Sequence, residues 1–383
     1  MSRNACLRQS QAAESRDGEQ MDINSNQNYH DQQNIENINK MRDVLETLPK
    51  FCKQFFRGIA NSTSARTRLA YAYDVRLFFE FLHEKNSYCA KMEIRDYPLS
   101  LLDRLSREDI EEYSDYLSYY QKDGKVYTND ERGKKRKLAS LRSFYNYYFK
   151  EELIEKNPAQ LVPLPKLHDK EIVRLDADEV AVLLDQVEDG TGLTKTQQRF
   201  HNVTKTRDIA LLTLLLGTGI RVSECVGLDM DDVDFRNNGI RIRRKGGYEA
   251  VVYFGDEVEE ALQAYMEQRH HTIPKSGHEE ALFLSMQNRR ISVRAVENLV
   301  KKYSSTVTTL KKITPHKLRS TYGTSLYHET GDIYLVADVL GHKDVNTTRK
   351  HYAALEEDRR RSAANKVTLR EKYDPQGHNK NPQ

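Results

Sequence analysis

Cysteine is scarce in this chain. The four present, Cys6, Cys52, Cys89 and Cys225, stand singly with no C-x-x-C pair. That argues against a disulfide framework or a cysteine-built zinc site and for a reducing compartment. Also missing is any run of about 18 apolar residues, so no membrane span and no membrane partner are expected. The opening MSRNACLRQSQ has no apolar core of the signal-peptide type. Together these lead to the expectation of a cytoplasmic protein. Charge of one sign is nearly absent in the balance, since the formal net charge is only +3. Nucleic-acid binding would therefore have to come from local patches rather than from the total.

At 383 residues, with 38% hydrophobic and 31% charged residues, the sequence describes a polar protein of more than one domain. Residues 1–40 are rich in Asn, Gln, Asp, Glu and Ser and read as a disordered polar tail. Residues 41–160 have helical periodicity. The cluster Asn61-Ser62-Thr63-Ser64 caps a helix whose stripe is Leu69, Tyr73, Leu77, Phe78, Phe81 and Leu82, with Arg66, Arg68 and Arg76 between. Ser106-Arg107-Glu108-Asp109 has the form of a capping box ahead of Ile110, Tyr113, Tyr116 and Leu117. After a turn at Asp123-Gly124, a third helix begins near Asp130 and presents Leu138, Leu141, Phe144, Tyr145 and Tyr148 to a core. A fourth helix is expected in 88–102 or 51–60, which completes a small bundle. The basic run Arg132, Lys134, Lys135, Arg136 and Lys137 reads either as phosphate contacts or as a solvated helix start. Positive charge at a helix N-terminus opposes the macrodipole, which favours a negatively charged partner.

A proline-marked connector at 161–170 separates this bundle from a second domain, expected over 171–370, with a tail at 371–383. Leu175 to Glu179 reads as a capped helix start. A polar loop is expected from Asp189 to about Val203, then a buried helix over 206–216. That helix ends at Gly217-Thr218-Gly219 and sets Arg221 just past a tight turn, a useful place for an anion. Asp229, Asp231, Asp232 and Asp234 invite a metal reading but lack the glycine and terminal glutamate of a calcium loop. An acidic connector is the plainer alternative. GIRIRR (239–244) and AVVYF (250–254) are β-like and flank a turn with Lys245 near its tip. A lysine there is either simply solvated or, beside a phosphate, a general acid. Helical patterns follow at 257–268 and 293–307.

The segment Thr314–Tyr352 concentrates the chemistry. Thr314 and Pro315 suit a helix start, which places His316 and Arg319 on one face. A second helix over 332–340 ends at Gly341 and leads into His342. Tyr352 is the only tyrosine between Tyr334 and Tyr373. The segment has no serine or cysteine nucleophile with an adjacent base and no acid cluster for magnesium. A guanidinium fits two phosphate oxygens, and imidazoles supply protons and donors. A phenol with a pKa of about 10 can act as nucleophile once helped to ionise. The set points to phosphoryl transfer through a phosphotyrosine; the alternative is a helical subdomain with ordinary polar residues.

With Arg221, Lys245, His316, Arg319, His342 and Tyr352 in this order, the chain resembles the tyrosine recombinases, the phage integrase and Xer-type family. GTGIRVSE, HKLRST, LGH and the final tyrosine carry the likeness. The resemblance implies a mainly α fold with a small β-sheet or hairpin: a two-domain DNA clamp made of a helical core-binding domain and a mixed α/β catalytic domain. It implies that Tyr352 attacks a scissile phosphate to give a 3′-phosphotyrosine. Arg221 and Arg319 would clamp the non-bridging oxygens with His342. His316 would assist proton movement, Lys245 would protonate the departing 5′-oxygen, and Glu224 would support Arg221. Neither metal nor ATP is implied, and no cofactor. The implied partners are double-stranded DNA and further recombinase subunits, as a homotetramer or a heterotetramer with a relative, exchanging carboxy-terminal segments on the nucleoid. Tyr352 follows His342 by ten residues, one more than is usual in the family. A non-catalytic DNA-binding regulator and a type IB topoisomerase are the competing classes.

Overall fold

The computed structural model describes residues 29–167, 173–244, 247–342 and 345. The chain divides between residues 170 and 171 into two compact units. Both are mainly helical, and each carries one small antiparallel sheet.

The first unit holds α1 (Tyr29–Leu45), α2 (Cys52–Gly58), α3 (Ala65–Lys85), α4 (Leu101–Arg104), α5 (Arg107–Tyr116), α6 (Glu131–Lys150) and α7 (Pro158–Leu161). Residues 29–40, expected within the polar tail, are helical. Met41, Val44 and Leu45 anchor the end of α1 in the core, and the helix extends back from there with a Lys40–Glu36 pair at 2.7 Å. Ser64 caps α3 by accepting from the Thr67 backbone N–H. Ser106 and Asp109 form the expected capping box on α5, with the Ser106 N–H donating to Asp109 Oδ2 at 2.7 Å. Helices α3 and α6 pack together around Phe144, whose ring lies 5.2 Å from Phe55 and 5.1 Å from Tyr148. Tyr73, expected in the α3 stripe, is exposed, with the Arg76 guanidinium 5.2 Å from its ring centre. Ala72, Val75 and Phe79 take the core positions instead.

The Asp123-Gly124 turn is the tip of a hairpin that pairs β1 (Tyr119–Lys122) with β2 (Lys125–Thr128). Both turn residues have positive φ, 50° and 69°, as a two-residue hairpin requires. The basic run lies inside the first turns of α6. Arg136 is bound bidentately by the buried carboxylate of Asp74, and Lys137 donates to Asn129 Oδ1 at 2.8 Å. Arg66 and Arg132 are exposed, while Arg68, Lys134 and Lys135 are half-buried.

Burial pushes the Asp74 carboxyl above its ordinary value, with Arg136 opposing the shift. A raised carboxyl favours the native state below its unfolded pKa, and that advantage disappears as pH rises through the folded one. Arg136→Ala strands the charge and raises that folded pKa further. The variant is therefore expected to lose about 1–3 kcal/mol of stability at neutral pH, discounted because the guanidinium is half in solvent. The deficit should shrink as the pH is lowered. Urea unfolding at two pH values measures both the size and the trend.

The second unit holds α8 (Ala177–Asp189), α9 (Lys195–Thr218), α10 (Val222–Val226), α11 (Asp256–His270), α12 (Val293–Val307), α13 (Pro315–Thr330) and α14 (Ile333–Leu340). Its sheet is β3 (Val233–Asp234), β4 (Gly239–Arg243) and β5 (Glu249–Tyr253), in that order. Ile240, Ile242 and Val252 face the core. The long loop expected over 189–203 is mostly helix. Thr194 and Gln197 form a capping box, the Gln197 N–H donating to Thr194 Oγ1, and α9 starts at Lys195.

Helix α9 packs against α8, α11 and α13, and its leucines 211, 212, 214 and 215 are fully buried. Asp208 on α9 is also buried. It accepts from Arg207, from Thr204 Oγ1 at 3.0 Å and from the Tyr303 hydroxyl at 2.9 Å, which ties α9 to α12. Asp229 and Asp232 are held by Arg290 and Arg241, so the acidic stretch is a braced connector. No group of His, Cys, Asp and Glu suited to a metal occurs among the described residues. No described helix is long and apolar enough to cross a membrane.

Candidate functional site

Three short pieces of backbone converge in the second unit: the α9–α10 turn, the start of α13, and the end of α14. The turn after α9 depends on Gly219, which caps the helix at φ 63°. A Cβ there would lie 2.4 Å from Tyr322 Cδ1 on α13, so the glycine also lets the two helices approach. Arg221 follows as the residue ahead of α10.

Glu224, buried in the first turn of α10, holds Arg221 twice. Its Oε1 accepts from Arg221 Nη1 at 2.8 Å and its Oε2 accepts from the Arg221 backbone N–H at 2.7 Å. The free edge of the guanidinium reaches the Gly341 carbonyl, Nη2 to O, at 3.4 Å. Next to Glu224, burial pushes the Cys225 thiol well above its ordinary value, so that sulfur is an inert packing group.

Pro315 opens α13, and His316 and Arg319 project from adjacent turns of one face. His316 is exposed, whereas Arg319 is 5% exposed. Arg319 Nη1 donates to the Gly219 carbonyl at 2.5 Å, and Nη2 donates to the Leu340 carbonyl. Asp332 caps α14, accepting from the Tyr334 and Leu335 N–H groups. Gly341, at φ 61°, ends it. The His342 N–H donates to the Ala337 carbonyl at 2.9 Å, which fixes the second residue beyond the helix.

The arrangement brings Arg221, Glu224, Arg319 and the Gly341-His342 turn together through shared carbonyls, although Arg221 and Gly341 lie 120 residues apart. His316 sits one turn before Arg319. Lys245 and Tyr352 lie outside the described residues. Two guanidinium groups at one turn that also holds His342 can bind and polarise an oxyanion such as a phosphate diester.

Glu224→Gln keeps the shape of the Arg221 clamp and removes its charge. Charge-assisted bonds of this kind contribute about 1.5–3 kcal/mol, so a rate that depends on Arg221 should fall roughly ten- to hundredfold. Single-turnover cleavage of a phosphodiester, with thermal melting as the control for folding, measures this.

Arg244, the residue just after β4, enters the same neighbourhood by donating Nη2 to the Val339 carbonyl at 2.9 Å. In the sequence it is one of several arginines in GIRIRR, and no local pattern distinguishes it.

A profile described as "Phage integrase family" matches residues 173–359. Over 333 residues the chain is 34% identical to the tyrosine recombinase XerC of Caldanaerobacter subterraneus subsp. tengcongensis, covering 84% of this chain and 86% of that protein. It is 29% identical to the tyrosine recombinase XerD of Staphylococcus epidermidis over 309 residues, covering 81% of this chain and 93% of the relative.

Among solved structures, the Tn1549 transposon integrase in complex with circular intermediate DNA matches with a TM-score of 0.57 at 20% identity. That match covers 79% of this chain and 95% of the other. The XerH site-specific recombinase bound to its difH substrate gives 0.53 at 18% identity, covering 78% of each chain. At these identities the structural likeness establishes the fold. The chain belongs to the phage integrase family of tyrosine recombinases.

Proposed function

We propose that this enzyme cleaves and rejoins duplex DNA at defined sites through a 3′-phosphotyrosine on Tyr352. The observation that carries this reading is the convergence of Arg221 and Arg319 on the carbonyls of Gly341 and Leu340, beside His342. Two guanidinium groups there match the two non-bridging oxygens of a scissile phosphate.

In the forward step the Tyr352 oxygen bonds to phosphorus and the bond from phosphorus to the 5′-oxygen breaks. His316 takes the phenol proton, and Lys245 delivers one to the departing 5′-oxygen. The return step, with a 5′-hydroxyl from a partner strand as nucleophile, restores the diester and frees the tyrosine. The phosphodiester energy is kept in the covalent bond, so the chemistry balances without ATP or a metal.

The XerC and XerD relatives and the DNA-bound neighbours support duplex DNA as the partner. The reading extends to a cytoplasmic protein acting in a multimeric complex. The finer reading is four subunits on two sites with exchanged carboxy-terminal segments, in chromosome dimer resolution or in integration, excision or inversion of an element. Within the first unit, Arg66, Arg68, Arg132, Lys134 and Lys135 are the phosphate contacts we assign. Arg136 and Lys137 have internal partners and serve the bundle first.

The test is incubation with a nicked suicide site followed by mass spectrometry. An adduct of DNA on Tyr352 is expected, and its absence from the wild-type protein on a site that it binds would remove the reading.

A further inference from the structure

Arg244 joins the β4–β5 turn to the end of α14. Its backbone N–H donates to the Tyr248 carbonyl at 2.6 Å and closes the base of that turn. Its guanidinium leaves the sheet altogether: Nη2 donates to the Val339 carbonyl at 2.9 Å and Nη1 to the Asp338 carbonyl at 3.4 Å. Leu340 and Gly341, the next two carbonyls, are taken by Arg319 and Arg221. Consecutive carbonyls 338 to 341 are thus shared among three guanidinium groups. A helix end leaves its last carbonyls without intrahelical donors and carries partial negative charge, so cations are favoured there. Gly341 fits the same picture, because a Cβ on it would lie 1.7 Å from Arg244 Nη1. The guanidinium fills the space a side chain would need.

We propose that Arg244 is a positioning residue for the chemical step: it fixes the α14 terminus, and with it the turn that presents His342 to the arginine pair. It acts through that turn and not on the phosphate. The proposal rests on the reading of His342 as a phosphate donor. Nothing else described in the structure holds the Val339 carbonyl from outside the helix with a side chain. Without Arg244 the turn keeps Arg221 and Arg319 on its far side and loses its support on the sheet side. His342 would then drift, and a displacement of about 1 Å at a reacting centre costs on the order of 10²-fold in rate.

The experiment measures single-turnover cleavage of a suicide DNA site at saturating DNA, with affinity for the same site measured separately. Arg244→Ala should slow saturated cleavage by about 10- to 10²-fold and leave DNA affinity unchanged. Arg244→Lys should keep part of the rate, since an ammonium can reach one of the two carbonyls; it also serves as the variant least disturbing to folding. In a His342→Ala background, Arg244→Ala should cost nothing further, because the group it positions is gone.

A wild-type rate in Arg244→Ala would overturn the proposal. So would a loss that lies wholly in affinity, or an undiminished loss in the His342→Ala background. If the wild-type protein itself formed no adduct, the recombinase reading would fall and take the proposal with it. An adduct in the wild type beside any of the other results sinks the proposal alone.

Discussion

Arg319→Ala should reduce DNA cleavage by at least about 10²–10³-fold, the range seen when one preorganised charge stabiliser is removed. The substitution should also be visible before any DNA is added. Arg319 is buried and bridges the Gly219 carbonyl to the Leu340 carbonyl, so it holds the α9–α10 turn against the end of α14. Its loss leaves two buried carbonyls without those donors, at a cost of about 1–3 kcal/mol each. Lower thermal stability is therefore expected together with lost activity. Arg319→Lys separates the two effects: an ammonium can satisfy one carbonyl but cannot offer a planar fork to a phosphate. It should recover part of the melting temperature and little of the cleavage rate. A lysine variant that cleaved normally would show that the bidentate geometry is unimportant. Thermal melting and single-turnover cleavage on one protein preparation decide this.

Tyr352→Phe should abolish the covalent adduct altogether while leaving DNA binding intact. A phenyl ring has no oxygen to bond to phosphorus. The arginines to which we assign the phosphate contacts are untouched, so gel-shift affinity should match the wild type. The informative comparison is with Arg221→Ala. That variant retains the nucleophile and should form adduct slowly, whereas the phenylalanine variant should form none however long the incubation. Denaturing electrophoresis of labelled DNA with and without protease reads both. Adduct in Tyr352→Phe at the wild-type level would move the nucleophile elsewhere.

The helices were legible where their signals are local. Ser106 with Asp109, the stripe of α12, and Pro315 after Thr314 each define an element within one or two turns of chain. The start of α9 was missed although Thr194 and Gln197 carry the same kind of signal, because the surrounding residues are polar and have no apolar period. The β1–β2 hairpin was missed for a related reason. Asp123-Gly124 was visible as a turn, but strands of four residues with mostly exposed side chains offer little alternation to detect.

The candidates Arg221, Glu224, Arg319 and His342, whose backbones and side chains the fold brings to one turn, were proposed from the resemblance and their order in the sequence. What holds them was not legible there. The Arg136–Asp74 pair spans 62 residues, the Arg319–Gly219 bond 100 and the Arg244–Val339 bond 95. Such partners are chosen by the fold, and nothing in the neighbouring sequence announces them.

Gly219 and Gly341 change how a genetic screen on this protein should be interpreted. Each sits at positive φ, and each leaves no room for a side chain because another residue already fills the space: Tyr322 in one case, Arg244 in the other. A survey scoring only failed recombination would therefore rank two chemically inert positions beside the nucleophile. For Gly219, pairing the variant with a smaller residue at Tyr322 would expose the difference, since removing the clash can revive part of a steric casualty, the left-handed backbone strain remaining, and cannot replace a missing reactive group.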